Sequence, residues 1–197
     1  MEKNETILYY EQNAAKYSND TVDVPFVDVQ DKFLSYLKQR AYILDFGCGS
    51  GRDTKYFLGK GYKVDAIDGS EKLCEMASQL TGITVSNMLF SELDDIEKYD
   101  GIWACSSILH LSKVELKDVF YKICRALKSE GVVYTSFKYG NFEGFRHERY
   151  FTDFTEDTFC LFIDEISGIQ IIETWISSDV RPGRHEERWL NLILKKD

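Results

Sequence analysis

The sequence predicts an α/β fold: a doubly wound, mostly parallel sheet of seven strands, with helices on both faces and an antiparallel hairpin of strands at its C-terminal edge. Three observations lead there. Short apolar runs alternate with amphipathic stretches of helical period. A glycine-rich turn closes the first of those runs, where a parallel sheet puts its ligand crevice. The last two apolar runs have no helix between them and therefore pair antiparallel. With 197 residues, 44% of them hydrophobic and only 2 Pro, the chain suits one domain with a sizeable core rather than a disordered or collagen-like segment. That domain reads in three parts: N-terminal cap helices over 1–40, a central α/β core over 41–137, and an aromatic loop with the C-terminal strands over 138–197.

Each element has its own signal. Ile7, Leu8, Tyr9, Tyr10, Ala14 and Tyr17 recur at helical spacing over 5–18, and Asp20-Thr21 and Pro25 are expected to end that helix. Phe26, Val29, Phe33, Leu34 and Leu37 form the apolar stripe of a second helix. The run 41–46 stops at glycines, as a buried parallel strand does. A helix over 53–59, a strand over 62–67, a helix over 71–80, a strand over 83–85, a loop over 88–97 and a strand over 101–105 continue the alternation. Ser112 and Glu115 make a capping box for a helix through Leu127, and Gly131 precedes a strand over 132–137. An aromatic loop over 138–154, a helix over 156–166 and strands over 169–176 and 189–195 complete the chain.

Composition narrows the setting. No run of about 18 apolar residues exists to span a membrane, and the first residues lack the basic and apolar regions of a signal peptide. The expectation is a cytoplasmic protein without a membrane partner, monomeric or homodimeric. Five cysteines at spacings without a CxxC predict neither a disulfide framework nor a metal site. A formal net charge of -9 opposes attraction to phosphate backbones, so a nucleic-acid partner is disfavoured.

The segment from Asp45 through Gly47, Cys48, Gly49 and Gly51 to Asp53 carries the most information. Its alternating glycines let backbone turn sharply and approach a ligand closely. Asp68 ends the next strand 17 residues beyond Gly51, close to the separation of about 20 expected in a nucleoside-binding unit, and can accept hydrogen bonds from two ribose hydroxyls. Gly69 leaves room beside it. Arg52 stands where a dinucleotide fingerprint wants its third glycine, and Asp45 would repel a pyrophosphate but favour a cationic amino group. That chemistry favours S-adenosylmethionine over NAD.

The stretch Ile43-Leu44-Asp45-Phe46-Gly47-Cys48-Gly49-Ser50-Gly51 resembles the first motif of class I S-adenosylmethionine-dependent methyltransferases. Asp68, the segment Tyr99–Trp103 and the segment Ala126–Val132 match further motifs in the expected order over about 90 residues. The resemblance implies that Asp45, Gly47, Cys48, Gly49 and Gly51 hold the methionine end of the cofactor. It also implies that Asp68, with Gly69 and Ser70, meets the ribose, that Met88 and Leu89 border the adenine, and that Cys105 lies near the sulfonium. Neither Asn87 nor Met88 is the acid that many members carry there. The segment Tyr9–Tyr17 resembles the cap of small-molecule methyltransferases, with Tyr17 covering the cofactor.

The expected activity is methyl transfer by in-line displacement to a small-molecule acceptor. His110 follows the fourth strand and is the candidate base, its ordinary pKa of about 6.5 suiting proton transfer near neutrality. Tyr139, Arg146, Arg149 and Arg184 are candidate substrate contacts, since guanidinium forks suit carboxylates or phosphates; pairing with neighbouring glutamates is the competing reading. A cofactor-binding module without turnover and an RNA or protein methyltransferase remain the alternatives.

Overall fold

The computed structural model describes residues 5–181 and 183–197. Helices α1 (Glu5–Thr21) and α2 (Val27–Leu34) precede the first strand. Contrary to expectation, Asp20 and Thr21 belong to α1. Lys16 Nζ donates to Asp20 Oδ2 at 2.6 Å across one turn, and Thr21 Oγ1 donates to the Tyr17 carbonyl at 2.8 Å, so both polar side chains are satisfied within the helix. The chain then turns through Pro25 into α2.

The alternating core follows as β1 (Tyr42–Phe46), α3 (Arg52–Gly59), β2 (Lys63–Asp68), α4 (Glu71–Thr81), β3 (Ser86–Asn87), β4 (Tyr99–Ala104), α5 (Lys113–Ala126) and β5 (Leu127–Lys138). After α6 (Glu156–Ile163) come β8 (Ile169–Ser178) and β9 (Arg188–Lys196). The seven-stranded sheet has the order β3-β2-β1-β4-β5-β9-β8. The first five strands are parallel, and β9 runs antiparallel to both β5 and β8. Strand order reverses between β1 and β4, and the loops leaving their C-terminal ends diverge to opposite faces. A crevice must open there.

Alternate residues of each strand face opposite layers. Leu44, Phe46, Ile102 and Val133 pack under Leu116, Val119, Phe120 and Ile123 of α5. Ile43, Trp103, Tyr134 and Ile193 pack against Phe33 of α2 and Phe57 of α3. Burial of each of those α5 side chains contributes roughly 1.5–3 kcal/mol relative to exposure. The capping box at Ser112 forms as predicted: Ser112 Oγ accepts from Glu115 N at 3.3 Å, while Glu115 Oε2 accepts from Ser112 N at 2.8 Å.

Two further expectations are corrected. The third strand pairs through Ser86 and Asn87 with Ile67 and Asp68, not through 83–85. Ile83 and Val85 instead pack with Cys48, Ala66, Cys74 and Ala77, so apolar character here marks a packing anchor ahead of the ladder. The aromatic loop contains a hairpin of β6 (Glu143–Arg146) and β7 (Arg149–Thr152) outside the main sheet. Its turn is His147-Glu148, with φ of +47° and +64°, the positive values that a tight hairpin needs. Neither residue is the glycine or asparagine that normally announces such a turn.

Candidate functional site

Three loops meet over the reversal point. The glycine turn after β1 is pinned to β2 because Gly47 N and Cys48 N both donate to the Ile67 carbonyl, at 3.0 and 2.9 Å. Asp68 then ties the turns together: its Oδ2 accepts from Gly49 N and its Oδ1 from Ser70 N, each at 2.9 Å. Gly47 has φ +90°, and a Cβ there would come within 2.5 Å of the Ser107 Cβ. Gly49 has φ +54°, and its Cβ would lie 3.0 Å from the Tyr17 ring. Strand-to-helix turn, post-β4 loop and cap helix thus close on one another with room for glycine only.

Two cavities lie against this junction. The first, 430 Å³, is walled by Gly49, Asp68, Gly69, Ser70, Met88, Leu89 and Phe90, with Ile7 of α1 above. The second, 630 Å³, is walled by Cys48, Arg52, Cys105, Tyr139, Arg146, Arg149 and Arg184, among others. Tyr10, Tyr17, Gly47, Ser106 and His110 line both. Of the residues singled out from sequence, ten cofactor candidates and all four substrate candidates therefore border one cavity or both, as does His110.

Asp45 and Gly51 border neither. Asp45 is only 1% exposed, and Thr54 Oγ1 donates to its Oδ2 at 2.5 Å. Burial and then the nearby Asp53 carboxylate push its pKa well above the ordinary range. This carboxyl braces the start of α3 from beneath the turn. Gly51 lies against Ala77 of α4 and serves helix packing.

The remaining groups are tuned by burial. Desolvation raises the Asp68 pKa, against the backbone donors of Ser70, Gly49 and Gly69 that favour its charged form. Burial pushes the Cys105 thiol up to about 12, so it stays protonated and is no nucleophile near neutrality. The Tyr17 hydroxyl is likewise held protonated.

His110 has a defined hydrogen-bond pattern. Its Nδ1 lies 2.6 Å from the Tyr150 carbonyl, which can only accept, so Nδ1 carries the proton. Nε2 is then the acceptor, and the Tyr10 hydroxyl donates to it at 2.8 Å. Burial lowers the His110 pKa to about 4, keeping the ring neutral. Tyr10 Oη in turn accepts from Arg149 Nη1 at 3.4 Å. The Tyr150 amide donates to Thr6 Oγ1 at 2.9 Å, locking the hairpin to α1.

On the opposite wall, Asp53 gathers donors. Arg52 Nε and Nη2 reach it at 2.7 and 2.9 Å, Gln30 Nε2 at 2.6 Å and Trp103 Nε1 at 2.8 Å. The Arg52 guanidinium also lies 4.8 Å from the Phe26 ring centroid. Sequence reading missed Tyr10 and this Asp53 cluster. Tyr10 had a signal, since it lies seven residues before Tyr17 on one helix face. The cluster had none, because Gln30, Asp53 and Trp103 come together only through sheet order.

Comparison with known proteins agrees with this architecture. Residues 43–131 match the methyltransferase domain family. A Bacillus subtilis (strain 168) protein named as a methyltransferase, YqeM, is 28% identical over 143 residues, covering 66% of this chain and 58% of its own length. The chain spans about half the length of the curated relatives it matches. Among solved structures, the 1,6-didemethyltoxoflavin-N1-methyltransferase of Burkholderia thailandensis, with S-adenosylhomocysteine bound, superposes with a TM-score of 0.77 at 21% identity, over 96% of this chain and 84% of that one. The [4+2]-cyclase SpnF superposes with a TM-score of 0.74 at 14% identity, over 98% and 96%. One fold thus serves unlike reactions, and activity must be argued from the site.

Proposed function

We propose that the protein is an S-adenosylmethionine-dependent methyltransferase acting on a small molecule: residues 43–131 match the methyltransferase domain family, and the chain shares the fold of solved methyltransferases. One observation carries the reading. An acid-floored cavity and a basic-walled cavity share a short rim of Tyr10, Tyr17, Gly47, Ser106 and His110. A donor in one would thereby face an acceptor in the other.

The residues fit that cofactor. Asp68 offers carboxylate oxygens to ribose hydroxyls, and Met88 and Leu89 give a flat ring apolar walls. When bound, the cofactor supplies an electrophilic methyl on a sulfonium. The chain contributes alignment of two reactants across a narrow rim, where proximity alone supplies much of the acceleration. Tyr17 of α1 roofs the junction and excludes water. His110 Nε2 has a free lone pair once Tyr10 turns aside, and it takes the acceptor's proton. So depressed a pKa suits uptake late in the reaction, when the acceptor's N–H or O–H has become strongly acidic.

Calorimetry with S-adenosylhomocysteine tests the cofactor half, and incubation of labelled S-adenosylmethionine with a metabolite extract tests transfer. Micromolar binding and label in a small molecule are expected; the absence of binding defeats the reading.

Among the described residues, no group of three or more His, Cys, Asp or Glu is placed to hold a metal, and no helix is long and apolar enough to cross a membrane.

A further inference from the structure

The basic-walled cavity is unlike the rest of the chain. The molecule carries a net charge of -9, yet seven Arg and Lys side chains line this cavity against five Asp and Glu. Most of that charge is internally matched. Arg52 pairs with Asp53, Arg146 with Asp153, Arg181 with Asp179, Arg184 with Glu187, and Lys138 with Glu187 and Asp179. Two guanidiniums have no carboxylate among the described residues: Arg188, which is exposed, and Arg149, which is not.

Arg149 is held in an aromatic setting. Its guanidinium lies 4.5, 5.3 and 5.8 Å from the ring centroids of Tyr9, Phe151 and Tyr10. Its Nε is fully buried without a hydrogen-bond partner among the described residues, and among them its guanidinium makes the long bond to Tyr10. The hairpin register sets it directly opposite Arg146, whose own charge is taken up by both carboxylate oxygens of Asp153. A half-buried guanidinium with no carboxylate partner among the described residues is stabilised by an anion that reaches its terminal nitrogens from the cavity.

We propose that Arg149 is the anion anchor of the acceptor cavity, and that the methyl acceptor is a carboxylate-bearing, flat organic molecule. Of the two uncompensated forks that line the cavity, Arg149 is the more buried and matches a carboxylate in charge and in two-oxygen geometry, and the Tyr10 and Phe151 rings beside it suit a planar body. Because Arg149 reaches Tyr10, and Tyr10 reaches His110, the anchored group sits on the same hydrogen-bonded chain as the candidate base. The assignment of this ligand as methyl acceptor rests on the methyltransferase reading above. The anion site itself does not.

Ligand-observed NMR on the full chain saturated with S-adenosylhomocysteine, with sodium benzoate, benzamide and phenyl phosphate as probes, tests it. Benzoate is expected to bind, benzamide to bind about tenfold more weakly or not at all, and Arg149→Gln to lose benzoate about tenfold, as loss of a charge-assisted fork predicts. Arg149→Lys, which keeps charge but not the fork, should recover only part of the affinity. Unchanged S-adenosylhomocysteine affinity in both variants would separate this loss from misfolding. Equal binding of benzoate and benzamide, or full benzoate binding by Arg149→Gln, overturns the anchor. Tighter binding of phenyl phosphate than benzoate overturns the choice of carboxylate. If S-adenosylhomocysteine fails to bind the wild-type chain, the methyltransferase reading falls, while the same probes without it still decide the anion site.

Discussion

The two cavities are built in opposite ways. Around Asp68, backbone amides of adjacent turns do the holding, and the partners are close in sequence: Gly49 lies 19 residues away and Ser70 only 2. Around His110 and Arg149, side chains do the holding, and the partners are remote: Tyr10 lies 100 residues from one and 139 from the other. A site made of local backbone tolerates change in the side chains around it, whereas one made of distant side chains depends on each charge being matched. The comparison predicts that removing a carboxylate that matches charge in the basic-walled cavity disturbs stability, and that removing Asp68 disturbs binding more than stability.

The sharpest test is Asp53→Ala. Asp53 is 7% exposed and satisfies Arg52, Gln30 and Trp103 at once. Its removal leaves a desolvated guanidinium and two buried N–H donors without an acceptor. A loss of about 3–5 kcal/mol is expected in urea denaturation, the range for breaking a buried ion pair from one side. A loss below about 1 kcal/mol, the range of an exposed pair, would break the comparison.

Next is the pH dependence set by His110. Its folded pKa of about 4 lies below the ordinary 6.5, so the unfolded chain binds more protons between those values. Stability from this group is complete above pH 6.5 and is lost as pH falls toward 4, to a total of about 3 kcal/mol. His110→Gln can still donate to the Tyr150 carbonyl and accept from Tyr10, but it does not titrate. Denaturation between pH 4 and 6.5 should therefore be flatter in the variant. An unchanged slope would mean that the imidazole is not buried neutral.

Asp68→Ala should act the other way, on the cofactor more than on the fold. Losing charge-assisted bonds to two hydroxyls is expected to weaken S-adenosylhomocysteine binding by roughly 10–100-fold in calorimetry. The melting temperature without ligand should move less than in Asp53→Ala, because Gly49 and Ser70 border the cavity and their amides can turn to water entering it.

This asymmetry also explains what could be read from the sequence. The alternation of strands and helices, the capping box at Ser112, the glycine turn and the place of Asp68 at a strand end were legible because each is a short-range pattern with a local physical cause. The hairpin at 143–152 was not, because His147 and Glu148 adopt positive φ without the residues that normally signal it. The strand at Ser86–Asn87 was missed because its two residues are polar, while the apolar Ile83 and Val85 beside them serve packing. Asp45 drew attention as a charge beside a turn, but exposure decides its role, and exposure depends on α3 folding over it. Tyr10, Arg149 and Asp53 draw their meaning from partners supplied by other layers of the fold.

The smallest expected effect is the most discriminating. Tyr10→Phe keeps the ring that lies against Arg149 and Tyr17 and deletes one hydroxyl, so it costs roughly 0.5–1.5 kcal/mol of stability. Its consequence for His110 has a definite sign. The hydroxyl donates to the Nε2 lone pair, which exists only in the neutral ring, and so favours neutrality. Without it, His110 should titrate at a higher pH and the window of acid destabilisation should narrow toward 6.5 from below. With only 3 histidines in the chain, ring-proton NMR can follow His110 directly. An upward move in Tyr10→Phe, with S-adenosylhomocysteine affinity unchanged, ties Tyr10 to the acceptor side of the rim. No move at all would mean that the hydroxyl is not the donor and that His110 Nε2 already faces the acceptor cavity unaided.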